Sequence, residues 1–237
     1  MANPKIEIRG QTLDISSRHA PFVLRRSPRA RRYSLRVDPR QGAVTLVLPR
    51  RGTREEGMRF LTASAAWIEQ RLARLPPGIP FAHGAAIPLK GRNLKLRHDP
   101  ALLPGIWPGE DEIVVGGPPA DLARRLGRWL VAEARREFTA RAVVLAEKVD
   151  RRIAAIRIAD TRSQWGACSS TGRISFSWRV IMAPEMVIDY LVAHEVAHLV
   201  HRRHGARFKA LLSRLMPAAP AAEDWLKRHG PALYRIG

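Results

Sequence analysis

The sequence predicts an α+β protein: a β-rich first part carrying one helix, then a second part in which helices pack beside a small sheet. Three observations point there. Short apolar runs punctuated by turn residues occupy residues 21–48. A single amphipathic pattern runs from Leu122 to Lys148. A late helix then carries four of the eight histidines within the eleven residues "HEVAHLVHRRH", His194 to His204.

The first part reads as strands in "PFVLRRS", "RRYSLRV" and "GAVTLVLP", separated by "PRA" and "DPRQG", and these predict a small antiparallel sheet. "TREEGMRFLTASAAWIEQRLARL" follows as one helix, because Thr53 and Glu56 form a capping-box pair ahead of Met58, Leu61, Ala65, Ile68 and Leu72 at helical spacing. "PPGIP" ends it. "AAIPLKGRNLKLRH" reads as a hairpin turning at Gly91-Arg92, and "DEIVVGG" as a further strand.

After "GGPPAD" the composition changes, which marks a boundary near residue 117. The long helix from Leu122 to Lys148 presents Leu126, Trp129, Leu130, Ala134, Phe138 and Leu145 on one side. "IAAIRIAD" and "GRISFSWRVIMAP" are strand-like and flank the loop "TRSQWGACSSTG". Pro184 opens a helix reaching about His201, since its missing N–H costs nothing in a first turn. A shorter helix after Gly205 carries Phe208, Leu211, Leu212 and Leu215, and Pro217 and Pro220 interrupt the chain before "EDWLKRH".

A chain of 237 residues can bury a core without staples, so a metal here is expected to be functional rather than structural. Cys168 is the single cysteine, which excludes an internal disulfide. The amino terminus lacks the apolar stretch of a signal peptide, and no run is long enough to cross a bilayer, so a cytoplasmic protein without a membrane partner is expected. The 41 basic and 21 acidic residues give a net charge of +20. Such a charge attracts nucleic acid, nucleotides or acidic protein tails. Arginine supplies 35 of the basic residues in an alanine-rich chain, as GC-rich codon usage also would. The stretch Arg18 to Arg40 holds eight arginines against Asp38 alone, alternating with apolar residues, and is expected to be the solvated face of strands.

His194 and His198 lie four apart, on one face of a helix, with Glu195 directly after the first. This is the H-E-x-x-H arrangement, in which two imidazoles hold Zn²⁺ and the glutamate takes a proton from the metal-bound water. Neutral imidazole is a ligand near pH 7, and zinc lowers the pKa of water to about 7. One zinc ion per chain is expected. Catalytic zinc usually has three protein ligands. His204 is the first choice, because Gly205 lets the chain turn and bring its ring back. The alternative metal ligand is Glu223, 25 residues after His198, with Asp224 a weaker form of the same idea. His201 is expected to lie outside the ligand set, and Met216 to pack rather than to form a Met-turn.

The segment "SQWGACSSTGRISFSWRVIMAPEMVIDYLVAHEVAHLVHRRHGARF" resembles the YgjP-like metallopeptidase domain family, with SprT-like and WLM proteins as more distant relatives. The resemblance extends over residues 22–232, leaving 1–21 as an extension and dividing the domain into a β-rich 22–117 and a catalytic 118–232. It implies a zincin-like core, His194, His198 and His204 as zinc ligands, and Glu195 as acid/base. It also places Trp165, Gly166, Cys168 and Ser169 in a signature near the site. "RISFSWRV" is the candidate edge strand for an extended substrate. Arg162, Trp165 and Ser169 are candidate site-lining residues, Arg162 as an oxyanion stabiliser. Cys168 is expected to be a small buried hydrophobe, with a zinc-blocking thiolate as the alternative.

Three functions follow. The first is zinc-dependent hydrolysis of peptide bonds in a peptide or protein substrate. The second is metal-dependent hydrolysis of a nucleotide phosphoanhydride, with arginines holding the phosphates. The third is a nucleic-acid-associated zincin-like binding protein.

Overall fold

In the computed structural model, which describes residues 6–16, 18–39, 41–161 and 164–237, the chain divides into two units, Met1–Pro77 and Gly78–Gly237. The composition change near residue 117 falls inside the second unit. No helix among the described residues is long and apolar enough to cross a membrane.

The first unit is a five-stranded sheet covered by two helices. Its strands are β1 (Ile6–Arg9), β2 (Thr12–Ile15), β3 (Arg18–Arg26), β4 (Ser34–Val37) and β5 (Val44–Leu48), in the order β1-β2-β3-β5-β4. β1, β2 and the start of β3, all before residue 22, are thus strands of this sheet. Leu13, Ile15, Val44 and Leu46 are fully buried and join Phe22, Leu61 and Ile68 in one core. The expected antiparallel sheet is corrected here: β3 and β5 pair parallel, Phe22 opposite Val44. Alternation in a strand dictates which face is buried but not which strand lies alongside, and β4 takes the edge while β5 returns between it and β3.

The single helix predicted over 53–75 is two, α1 (Arg54–Ala63) and α2 (Ala65–Ala73). The Thr53–Glu56 capping box forms as expected. The break lies at Ser64, whose hydroxyl donates to the Phe60 carbonyl at 2.8 Å, a back-bond that bends helices.

The second unit begins with a four-stranded sheet, β6 (Ala86–Leu89), β7 (Arg92–Asp99), β8 (Ile106–Pro108) and β9 (Glu112–Gly116), in the order β6-β7-β9-β8. Its hairpin turns at Lys90-Gly91, one residue before the predicted position, with φ of 51° and 81°. That is a two-residue turn with both central residues left-handed. A side chain at Gly91 would also meet Pro184 Cα at 2.9 Å.

Helix α3 (Leu122–Lys148) has the predicted limits and buries Leu122, Leu126, Leu130, Ala134, Phe138, Ala142 and Ala146, a strict four-residue stripe. The next sheet contains β10 (Ala155–Ala159), β11 (Gly166–Cys168) and β12 (Arg173–Ser177) in the order β10-β12-β11. The strand predicted to form an edge, "RISFSWRV", is therefore the central one. β10 pairs parallel on one side and β11 antiparallel on the other. β10 and β11 are the two edge strands. β12 stops at Ser177, and Trp178–Met182 is a 3₁₀ turn.

Three helices complete the unit: α4 (Glu185–Ala197), α5 (Ala206–Leu215) and α6 (Ala219–Leu233). Pro184 is the N-cap residue of α4 rather than its first helical residue. α4 packs against α3, α5, α6 and β11 and is apolar almost all round, as a core helix must be. Phe138 of α3 and Phe176 of β12 are fully buried in the same core with ring centroids 5.1 Å apart. Each such side chain contributes about 1.5–3 kcal/mol by leaving water.

A buried arginine closes this unit. Arg179 donates from Nε to Asp160 Oδ1 at 2.8 Å and from Nη1 to the carbonyls of Leu233 and Ile236 at 3.0 and 2.7 Å. Its guanidinium lies 4.6 Å over the Trp178 ring. The carbonyls at the C-terminal end of α6 thereby gain a cationic donor, and the 3₁₀ turn is tied to the end of β10.

Candidate metal centre

His194 and Glu195 belong to the last turn of α4, and His198 is its C-cap. The chain then leaves the helix in tight turns, the His201 N–H donating to the Ala197 carbonyl at 2.9 Å, before Gly205 caps α5. This reversal returns His204. Its Nε2 lies 3.1 Å from Nε2 of His194 and 3.0 Å from Nε2 of His198. Among the described residues these three histidines form a group able to hold a metal ion, each offering one ligand atom, all within 4.8 Å of one another.

The protonation pattern fits a cation. Nδ1 of His198 faces the His201 carbonyl at 3.0 Å, and a carbonyl only accepts, so this nitrogen carries the proton and Nε2 presents its lone pair. Nδ1 of His194 is buried with no partner among the described residues. Burial, then the neighbouring His198 and His204, push the His194 imidazole down to about 4, with Glu223 acting in the opposite sense. Burial likewise holds His198 below its ordinary value, against the bond to His201. Both rings are therefore neutral at neutral pH, the form that binds metal.

Phe208, four residues past His204 on α5, forms a floor under all three rings. Its centroid is 5.1 Å from that of His194, 4.5 Å from His198 and 4.7 Å from His204. The sequence placed Phe208 only in a helix core; its i, i+4 spacing from His204 carried the missing signal. Tyr190 meets the His194 ring edge-on at 5.7 Å. Burial, then the charges of Glu223 and Glu195, push its hydroxyl up to about 12, so it remains a neutral phenol.

Glu195 is 3% exposed, and its Oε2 has no hydrogen-bond partner among the described residues. Burial pushes its carboxyl up to about 8. It fits where it does because of Gly166 on β11: a Cβ there would lie 2.5 Å from Glu195 Oε1 and 2.8 Å from its Cγ. The glycine of the "WGACS" turn thus leaves the space that the carboxylate occupies.

The other expected residues have contacts of their own. Trp165 stacks on Tyr234 at 4.4 Å and packs against Gly230 of α6, bracing the start of β11. Ser169 lies in the β11–β12 turn, its hydroxyl accepting from the Arg173 N–H at 3.0 Å. Arg162 lies outside the described residues. Cys168 is half-buried at the end of β11, and burial raises its thiol against the opposing effect of Arg202. Arg202, between the second and third histidines, donates to the Ser169 carbonyl at 2.5 Å and joins the histidine loop to the β11–β12 turn. No sequence pattern singled out Arg202. Glu223 stands on α6 paired with Lys227 at 2.7 Å, outside the histidine group but near enough to influence His194. Asp224 pairs with Arg228.

No curated protein matches the chain. Among solved structures, the crystal structure of the metallopeptidase zymogen abylysin of Pyrococcus abyssi is similar, at 20% identity. The match covers 38% of this chain and 92% of that one, with a TM-score of 0.36. The sequence matches the family model of the YgjP-like metallopeptidase domain over residues 31–229, most of its length, and the triad of imidazoles suits the metal that such a family implies. The chain belongs to the YgjP-like metallopeptidase domain family.

Proposed function

We propose that this protein is a zinc-dependent peptidase with a zincin-like core, in which His194, His198 and His204 hold the ion and Glu195 is the general base and then the general acid. The observation that carries this reading is the convergence of three Nε2 atoms, with Glu195 following His194 on the same helix and its buried Oε2 without a partner among the described residues. A bound zinc ion would polarise the scissile carbonyl and lower the pKa of water to about 7.

The chain supplies the remaining chemistry. Glu195 in its carboxylate form takes a proton from the attacking water and returns it to the leaving amine, as a positioned carboxylate does in general acid–base catalysis. Phe208 and the His201 carbonyl keep the imidazoles from turning away. The open edge of β11, which includes Gly166, supports an extended peptide added as a further strand with its main chain beside Glu195.

The test is digestion of a mixed peptide library by the zinc-loaded protein and by Glu195→Gln, read by mass spectrometry with zinc content measured in parallel. Cleavage falling by a factor of about 10²–10⁴ with zinc retained is expected, the range of positioned proton transfer. A Gln variant cutting the same bonds at the unmodified rate would contradict the mechanism. Release of phosphate or pyrophosphate from a nucleotide panel, lost in Glu195→Gln and without peptide cleavage, would assign the site to phosphoanhydrides instead.

A further inference from the structure

The sheet of the first unit gathers arginines that are distant in sequence. β3 and β5 run parallel with Arg26 opposite Leu48, and β4 begins at Ser34 opposite Val47. The C-terminal ends of β3 and β5 and the start of β4 therefore share one end of the sheet, where the segments 27–33 and 49–53 connect. Arg26 fastens them, its Nη1 donating to the carbonyls of Pro49, Arg50 and Gly52 at 3.1, 2.9 and 2.8 Å.

Arg25 at the end of β3 and Arg29, Arg31 and Arg32 in the first segment thus share this end with Arg50 and Arg51 in the second and Arg54 at the start of α1, and all seven are exposed. Among the described residues none of the seven forms an ion pair. The acids at this end are Glu55 and Glu56, and Glu56 is engaged by the Tyr33 hydroxyl at 2.6 Å and the Thr53 N–H at 3.1 Å. The first unit carries 16 basic and 6 acidic residues in 77, the second 25 and 15 in 160. Both have a net charge of +10, so the excess is about twice as dense in the first.

The chemistry of the patch selects its ligand. Guanidinium stays charged at any working pH and grips phosphate with two parallel donors. No large hydrophobic side chain is exposed among residues 25–32 or 49–54, and the exposed Val23 and Leu24 on β3 and Phe60 on α1 lie outside these two segments, so the segments themselves present charge rather than an apolar wedge. Tyr33 is held by Glu56 and its ring lies against Phe60, with centroids 6.2 Å apart, so the two aromatic rings pack on each other. We infer that this end of the sheet binds the sugar-phosphate backbone of nucleic acid without reading its sequence. This inference does not depend on the reaction performed at the histidine centre.

The experiment is fluorescence anisotropy of the full chain with labelled oligothymidylate and a labelled DNA duplex, each about 20 nucleotides long, between about 50 and 200 mM salt. The variant Arg29→Ser/Arg31→Ser/Arg32→Ser is compared with Arg128→Ser/Arg135→Ser/Arg214→Ser, which removes the same charge from exposed positions of the second unit. The first triple should weaken oligothymidylate binding at least about tenfold. It should also flatten the log–log salt slope by about 2, at about 0.7 per lost phosphate contact. The second should change affinity by less than about threefold. Arg50→Ser/Arg51→Ser, from the other segment, should reproduce about two thirds of the slope change and keeps the test intact if the first triple fails to fold. Equal losses in both triples, absence of binding, or equal affinity for poly-glutamate or phosphatidylglycerol vesicles would overturn the inference.

Discussion

Gly166 and Glu195 share one volume: the space a β-carbon would need on the glycine is filled by the glutamate carboxyl, 2.5 Å away at Oε1. Edge strand and active-site helix are thus fitted at the atom proposed to move the proton.

Gly166→Ala should therefore push the Glu195 carboxyl aside while leaving the three imidazoles untouched. Zinc content should stay near that of the unmodified protein, and kcat/KM on a cleaved peptide should fall by about 10²-fold, the cost of misplacing a catalytic group by about an ångström. A variant with unchanged kcat/KM would show that the carboxyl tolerates displacement.

Phe208 touches all three imidazole rings, so its effect should be on metal affinity. Phe208→Leu preserves most of the apolar volume but not the flat floor. Competition with a chromophoric chelator should show zinc affinity lowered about tenfold, the lower end of the range for groups that orient metal ligands. Unchanged affinity would make Phe208 a packing residue only.

Arg179 should dominate the stability of the second unit. Arg179→Ala leaves the Leu233 and Ile236 carbonyls without their cationic donor and removes the ion pair with Asp160. Urea unfolding should show a loss of about 2–4 kcal/mol, and Arg179→Lys should recover less than half, because an ammonium cannot reproduce the fork. A loss below about 1 kcal/mol would contradict the clamp.

Glu137 gives the pH dependence. Burial alone would raise its carboxyl, but hydrogen bonds from Lys90 and Arg141 prevail and hold it below the ordinary value of 4.5. A pKa lowered by folding stabilises the native state above the unfolded value and loses that effect as pH falls through the folded one. The stability difference between the unmodified protein and Glu137→Gln should be largest above about pH 5 and shrink steadily below about 4.5. A difference independent of pH would show that the network stabilises by shape alone.

The extent of α3, the Thr53 capping box and the H-E-x-x-H register were legible because each depends on neighbours within four residues. The parallel pairing of β3 with β5, the edge position of β11 and the place of Gly166 were not, because alternation along a strand shows a face and not a neighbour. Ser64 divides α1 from α2 through a side-chain bond that competes with the helix, which apolar periodicity does not register. Gly205 and the spacing favour His204 over Glu223, while the turns after His198 that bring the His204 Nε2 to 3.0 Å from that of His198 were not legible in the sequence.

The most direct measurement is elemental analysis of the purified, zinc-reconstituted protein beside His204→Ala and Glu223→Ala, each matched for folding. The three-histidine centre predicts about one zinc per chain, as for a single catalytic site, kept in Glu223→Ala and lost in His204→Ala. Zinc retained in His204→Ala but lost in Glu223→Ala, or no zinc in the unmodified protein, would contradict it.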